Sequence, residues 1–266
     1  EEEPQINVTM ANVIVPFPGA SSADVQAMVA RPAEQVLGQI AGTYDLSAML
    51  GQGAVIREDP RYPAALVLIL LGCFTKSAQL PFHFWLPEAM AAPTPVSAYL
   101  HSATMVKAGV FLLARLYPVL GGSALFELLV AGIGLETMLF AAYVAVFKHD
   151  LKGLLAYSTI SHLGLITFLI GLDSPLSAVA AVFHILNHAT FKAALFMVAG
   201  IVDHEAHTRD LRRLGGLRRL MPITFAIAAL AFAHNFRKPP LDDAEAVGHL
   251  KPALLGRRVT QPIHRP

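Results

Sequence analysis

The sequence predicts an all-α polytopic membrane protein with about five to six transmembrane helices, preceded by a short α+β amino-terminal segment. Two observations carry that expectation. Of 266 residues, 55% are hydrophobic and only 15% charged, with a mean hydropathy of +0.53, whereas soluble domains are about one quarter charged. The apolar residues are also gathered into helix-length runs between residues 62 and 233, and a bilayer core needs about 20 apolar residues per helix.

The runs are Tyr62 to about Trp85, Val96–Leu116, Leu125–Phe147, Leu151–Leu172, Leu176–Val202 and a shorter one from Met221 to Ala233. Turn chemistry separates them. Pro87, Pro93 and Pro95 remove backbone donors and clash with a continuing helix. Tyr117-Pro118 followed by Gly121-Gly122 is expected to end the second run. Asp173-Ser174-Pro175 offers a cap and a first-turn proline to a later one.

Residues 1–61 are polar to mixed, and 234–266 are polar and rich in Pro and Arg. Asn7–Val15 reads as a strand, followed by a helix capped at Ser21 or Ser22. About 40 residues bury no core of their own. Glu1-Glu2-Glu3 is acidic where a secretory leader is basic. The chain is therefore expected to start inside a longer reading frame. A net charge of +1 argues against nucleic acid as a partner.

Orientation follows the Lys/Arg bias of short loops. Lys148, Lys152, Arg209, Arg212, Arg213, Arg218 and Arg219 put loops 148–152 and 203–220 on the cytoplasmic side of the cell membrane. Arg57 and Arg61, on the other side, mildly oppose the rule.

Charged and titratable residues inside the apolar runs are the candidate functional groups. Each Lys or Asp at a helix centre costs about 2.5–3.5 kcal/mol on insertion scales. Lys76, His101, Lys107, Glu136, His162, His184, His188 and Lys192 all lie within runs, and Lys152 lies near a helix start, where it can snorkel. Positions 184, 188 and 192 are four apart and share one helix face. Histidine titrates near neutrality and a desolvated lysine can, so such a ladder can hand a proton along. Asn187 and Thr190 add polar groups beside it.

The ladder is not expected to hold a metal, since a third ligand is missing and position 185 is Ile where a zincin has Glu. A lone histidine such as His162 can equally bridge two helices by a hydrogen bond. Lys76-Ser77-Ala78-Gln79-Leu80-Pro81 joins a lysine to a helix-breaking proline. Irregular backbone of that kind is tolerated in a membrane where it lines a cavity. No redox cofactor site is legible: no Gly-rich dinucleotide fingerprint follows a strand, and the lone Cys73 cannot hold a cluster.

The stretch Phe74–Met90, the stretch Ala92–Gly109, the stretch His149–His162 and Phe183-His184 through Phe191-Lys192 together resemble the proton-translocating module shared by complex I antiporter-like subunits and Mrp-type antiporters. Phe82-His83-Phe84-Trp85 and Asp203-His204-Glu205 are similar to the large A-type chain of Mrp multisubunit sodium/proton antiporters. The resemblance covers about residues 43–233 and implies a broken-helix antiporter fold that carries no cofactor and is a transporter subunit, not an enzyme. It implies partners as well: other antiporter subunits, the bilayer, Na+ or another monovalent cation, and H+.

It further implies that Lys76 is the switching base beside a broken helix at Pro81. Lys152, His184, His188 and Lys192 would relay protons, with His101 near the junction, and Lys107, Glu136 and His162 are possible additions. The family's upstream glutamate and its second broken helix with a terminal lysine have no counterpart here, and His234–Pro240 resembles nothing in the family. Residues 1–42 resemble the start of the porter domain of resistance–nodulation–division efflux transporters. The chain therefore reads as a fusion of fragments or a misassembled gene. The other readings are a non-functional remnant and a complex I-like membrane-arm subunit.

Overall fold

The computed structural model describes residues 46–102 and 104–235, together with 39, 40 and 42. The strand and helix expected within 1–38, and the tail beyond 235, lie outside the described residues. The described chain is helical and carries no strand; one isolated bridge joins Asp150 to Asp210. Its helices are α1 (Leu46–Leu50), α2 (Gly53–Glu58), α3 (Tyr62–Lys76), α4 (Trp85–Glu88), α5 (Thr94–Ser102), α6 (Lys107–Leu120), α7 (Ala124–Val146), α8 (Leu151–Gly171), α9 (Pro175–Ala206), α10 (Leu217–Leu220) and α11 (Pro222–Asn235).

Among the described residues, 4 spans are long and apolar enough to cross a membrane: Thr94–Leu120, Ala124–Val146, Leu151–Gly171 and Leu176–Ala206. Shorter apolar helices at Tyr62–Lys76 and Pro222–Ala233 complete the set expected from the runs. The first span is broken, which its apolar pattern did not announce. α5 stops at Ser102, and α6 restarts at Lys107 with its amide on the Thr104 carbonyl at 3.2 Å.

Side chains cap three helix starts, of which the one at Ser174 was expected. Ser123 accepts from the Phe126 amide, Asp150 from the Gly153 amide, and Ser174 and Ser177 form a reciprocal capping box ahead of α9. Pro118, expected to end a helix, instead lies inside α6, which runs on to Leu120. Proline in a last turn forfeits a single intrahelical bond. The carbonyls of Pro118 and Val119 accept from the Arg57 guanidinium, and that of Leu120 from the Tyr62 hydroxyl at 2.6 Å.

The α7–α8 pair is the tightest seam. A Cβ on Gly164 would stand 2.5 Å from the Met138 amide nitrogen, and one on Gly134 2.4 Å from that of Phe168. Backbone-to-backbone approach of this kind is how membrane helices associate without a hydrophobic drive between them. α3 meets α6 in the same way, with Gly109 against the Cys73 carbonyl.

The second break follows Lys76, where proline was expected to interrupt the run. Side chains take up several of its backbone groups. The Ser77 carbonyl, which Pro81 cannot serve, takes the Gln79 side-chain amide at 3.0 Å. The Leu80 amide donates to the Thr137 hydroxyl at 3.0 Å, and the Thr75 carbonyl accepts from the Trp85 indole at 3.0 Å. Short helical turns at Phe82–Phe84 and Ala89–Ala91 flank α4 and lead to α5.

At one end of the bundle, the loops after α7 and α9 are tied together. The Leu151 amide donates to the Arg209 carbonyl, the Leu211 amide to that of His149, and Arg209 pairs with Asp150 at 3.2 Å. Arg212 grips Asp210 through Nε and Nη2 at 2.9 and 2.8 Å. These side-chain bonds from Arg212, with its backbone amide, favour the ionised carboxylate and lower the Asp210 carboxyl to about 2. Because the folded value lies below the ordinary 3.8, this contribution is complete above 3.8 and is lost as pH falls through about 2. Hydrogen-exchange protection at Asp210–Arg213, relative to the intrinsic rate at each pH, should stay constant down to the ordinary carboxylate range and fall below it. Asp210→Asn should show the lower protection already at neutral pH.

Candidate functional site: a buried file of lysines and histidines

The four-residue spacing on α9 brings His184, His188 and Lys192 to one side, as the sequence indicated. The α8 helix supplies what pattern could not assign. His162 Nδ1 lies 3.0 Å from His184 Nε2, and its ring centroid is 5.2 Å from that of His188. The His184 and His188 centroids are 6.3 Å apart, so His162 stands between them rather than beside the ladder. It does bridge two helices, and in doing so makes the histidines one cluster.

Lysines bound the cluster on both sides. Lys192 is 1% exposed, and its Nζ donates to the Ser158 hydroxyl at 2.8 Å. Lys107 is 6% exposed and donates to the Ile185 carbonyl at 2.9 Å, one residue from His184. Neither lysine meets a carboxylate among the described residues. Each is held by a single neutral acceptor, which solvates an ammonium without fixing its proton.

His188 and His101 are fully buried, and their ring nitrogens have no hydrogen-bond partner. Buried polar atoms are almost always bonded, so these four nitrogens, like Gln79 Oε1, are exceptions among the described residues. His101 ends α5 beside the first break, its ring 6.0 Å from that of Phe196 on α9. Lys152 is also buried and donates to the Ala92 carbonyl at 3.1 Å. It is therefore turned inward, and does not snorkel.

Three of the candidate residues lie at the surface of the described chain. Lys76 is exposed, at the last turn of α3. The face of α3 that packs on α6 carries Leu66, Leu70, Cys73 and Ser77, and Lys76 projects away from it. Glu136 is exposed on α7, with no cation or donor beside it among the described residues. Thr190 is exposed and bonds back to the Leu186 carbonyl at 3.2 Å, so it adds nothing to the buried file.

Ser158 escaped the sequence reading, although it sits one turn before His162 and so shares its face. His83 escaped too. Its ring lies edge-on to Phe140 at 5.1 Å.

Broken apolar spans around a buried file of lysines and histidines define a polytopic membrane protein built to let ionisable groups meet inside a bilayer. The chain matches, over residues 35–250, the transmembrane family of NADH:quinone oxidoreductase and Mrp antiporter subunits. It belongs to that family, and its homologues are antiporter subunits, transporters rather than enzymes. The match runs past the 43–233 bounds that the motifs suggested.

The probable A/B subunit of a K(+)/H(+) antiporter from Rhizobium meliloti is 66% identical over 198 residues, covering 74% of this chain and 20% of that protein. The A subunit of the Na(+)/H(+) antiporter from Alkalihalophilus pseudofirmus is 49% identical over 215 residues, covering 76% and 27%. This chain thus spans about a fifth to a quarter of the length of these curated relatives. Among solved structures, the Mrp complex from Dietzia sp. aligns with a TM-score of 0.71 at 35% identity, over 92% of this chain and 30% of that one. The membrane-bound sulfane sulfur reductase, an archaeal respiratory membrane complex, aligns at 0.68 and 27% identity, over 76% and 42%.

Proposed function

We propose that this chain is the central part of a membrane subunit that exchanges protons for a monovalent cation. The observation that carries this reading is the unbroken succession Lys107, His184, His162, His188, Lys192 through the packed centre of α6, α8 and α9. His162 Nδ1 lies 3.0 Å from His184 Nε2 and its ring centroid 5.2 Å from that of His188, and water can carry the remaining steps at little cost. Like charges on neighbouring groups disfavour simultaneous protonation, so occupancy of one site drives the proton onward.

In this reading His101 and Lys152 extend the path toward α5 and the loop after α7, with His101 at the first break. Lys76 and the Pro81 break form the switching end, where the exposed ammonium awaits a helix presenting an acid. The family membership and the antiporter names of the relatives support it. Residues 43–233 hold the groups of the antiporter module, inside the family match over 35–250. The tied loops at 148–152 and 203–220 face the cytoplasm of the cell on the Lys/Arg bias.

A redox-driven reading is favoured by one observation, the likeness to a respiratory membrane complex. The two separate in vesicles containing the intact parent assembly. Added Na+ or K+ should dissipate an imposed pH gradient without NADH or quinone. Proton movement that requires NADH and ignores the cation would overturn the exchange reading.

A further inference from the structure

We infer that Phe191 is a positioning residue of the proton path, its ring face a seat for positive charge that holds the Lys192 ammonium beside His188. The inference rests on the reading of the buried file as a proton path. It adds to that path a group that itself neither gains nor loses a proton.

The ring stands where three members of the file meet. Phe191 is 2% exposed, and Lys192 Nζ lies over its face, 5.7 Å from the centroid. The same centroid is 5.3 Å from those of His162 and His188, edge to face at 64° and 83°. Residue 191 is three positions past His188 and so neighbours it on α9, while α8 brings His162 from across the seam. Lys192 and His188 are buried as well, so the groups around the ring belong to the described chain.

A buried ammonium needs compensation for its lost water. The titratable groups that face Lys192 repel it when they are protonated: His184 and His188 from its own helix, and His162 from α8. His101 on α5 stands one turn along, against Phe196. Lys107 on α6 is held at the far end of the file, on the Ile185 carbonyl, and α11 brings no titratable residue within 222–233. Among these neighbours the Ser158 hydroxyl, at 2.8 Å, and the Phe191 face are the attractive ones. A ring face within about 6 Å draws a cation, more strongly where both are out of water. A carboxylate in that place would fix the proton on the lysine, whereas a ring favours the charge and leaves the proton free to go.

The test places fluorinated phenylalanines at position 191 in the intact parent assembly. Fluorine drains negative potential from the ring face with little change of shape. The pH of half-maximal exchange should move downward stepwise from one to three fluorines, by about one pH unit in all, because a less stabilised ammonium forms only in more acid solution. Phe191→Leu, which keeps apolar bulk and loses the face, should move it as far. A midpoint indifferent to fluorine would overturn the inference.

Melting temperature supplies a readout that needs no transport. Fluorination should lower it with Lys192 in place and leave it unchanged in a Lys192→Met background. The same response in both backgrounds would sink the contact between ring and ammonium. An assembly without cation exchange refutes the exchange reading alone, since the melting temperatures still decide the contact.

Discussion

Lys192→Met should abolish cation/proton exchange in the parent assembly while leaving its expression and subunit composition unchanged. The side chain is 1% exposed and bonded only to the Ser158 hydroxyl. Methionine matches its length and removes a buried charge, a change that is often neutral or stabilising. The stranded Ser158 hydroxyl costs about 1 kcal/mol at most, since it can turn to a helix carbonyl. Exchange, in contrast, loses the group that passes the proton beyond His188. A positioned proton-transfer group contributes about 100-fold or more, so residual exchange in everted vesicles should fall to background.

Lys192→Arg separates charge from proton transfer. A guanidinium keeps the positive charge but does not release its proton at accessible pH, and it should be as inactive as methionine. Exchange preserved in the arginine variant would show that Lys192 acts as a fixed charge. Lys76→Ala should give the same loss in the same assay if the ammonium at the second break is the switching base.

Gly164→Ala is expected to destabilise the bundle by about 1–3 kcal/mol, the usual cost of overpacking a close-packed site. The new methyl would sit 2.5 Å from the Met138 amide nitrogen and 2.8 Å from the Gly134 carbonyl oxygen, and neither backbone atom can swing aside. Only separation of α7 from α8 makes room, and a shift of α8, which carries His162, disturbs the 3.0 Å contact with His184. A lower melting temperature in detergent should therefore accompany weakened exchange. Gly132→Ala is the control. It meets open space, and replacing a mid-helix glycine gains about 0.5–1 kcal/mol. A Gly164→Ala variant as stable as Gly132→Ala would mean that the seam is looser than its geometry.

Much of the fold was legible because membrane helices are written in two strong signals, apolar length and punctuation. The caps at Ser174 and the break at Pro81 fell where residue chemistry placed them, and the His184-His188-Lys192 face followed from spacing alone. What did not follow was which face each helix covers. Lys107 and His162 looked like ordinary polar residues of membrane helices, yet α9 encloses both. Lys76 looked central, yet α6 packs on the other side of its helix. That choice depends on which glycines meet across a seam, and Gly164 carries no mark of its partner. Pro118 was misread for a related reason: Arg57, distant in sequence, caps the carbonyls that end its helix.

The break after Lys76 is finished rather than poised. The Ser77 carbonyl, the Leu80 amide and the Thr75 carbonyl are each bonded through a side chain of Gln79, Thr137 or Trp85. No turn of helix has to wind or melt for the lysine beside it to change partners. The moving parts can be limited to rotamers of lysine and histidine, which exchange in about picoseconds to nanoseconds where they are free to turn. Helix rearrangement is slower by about a thousandfold or more, and in the proposed exchange the irregular backbone is the frame while the side chains beside it move the proton.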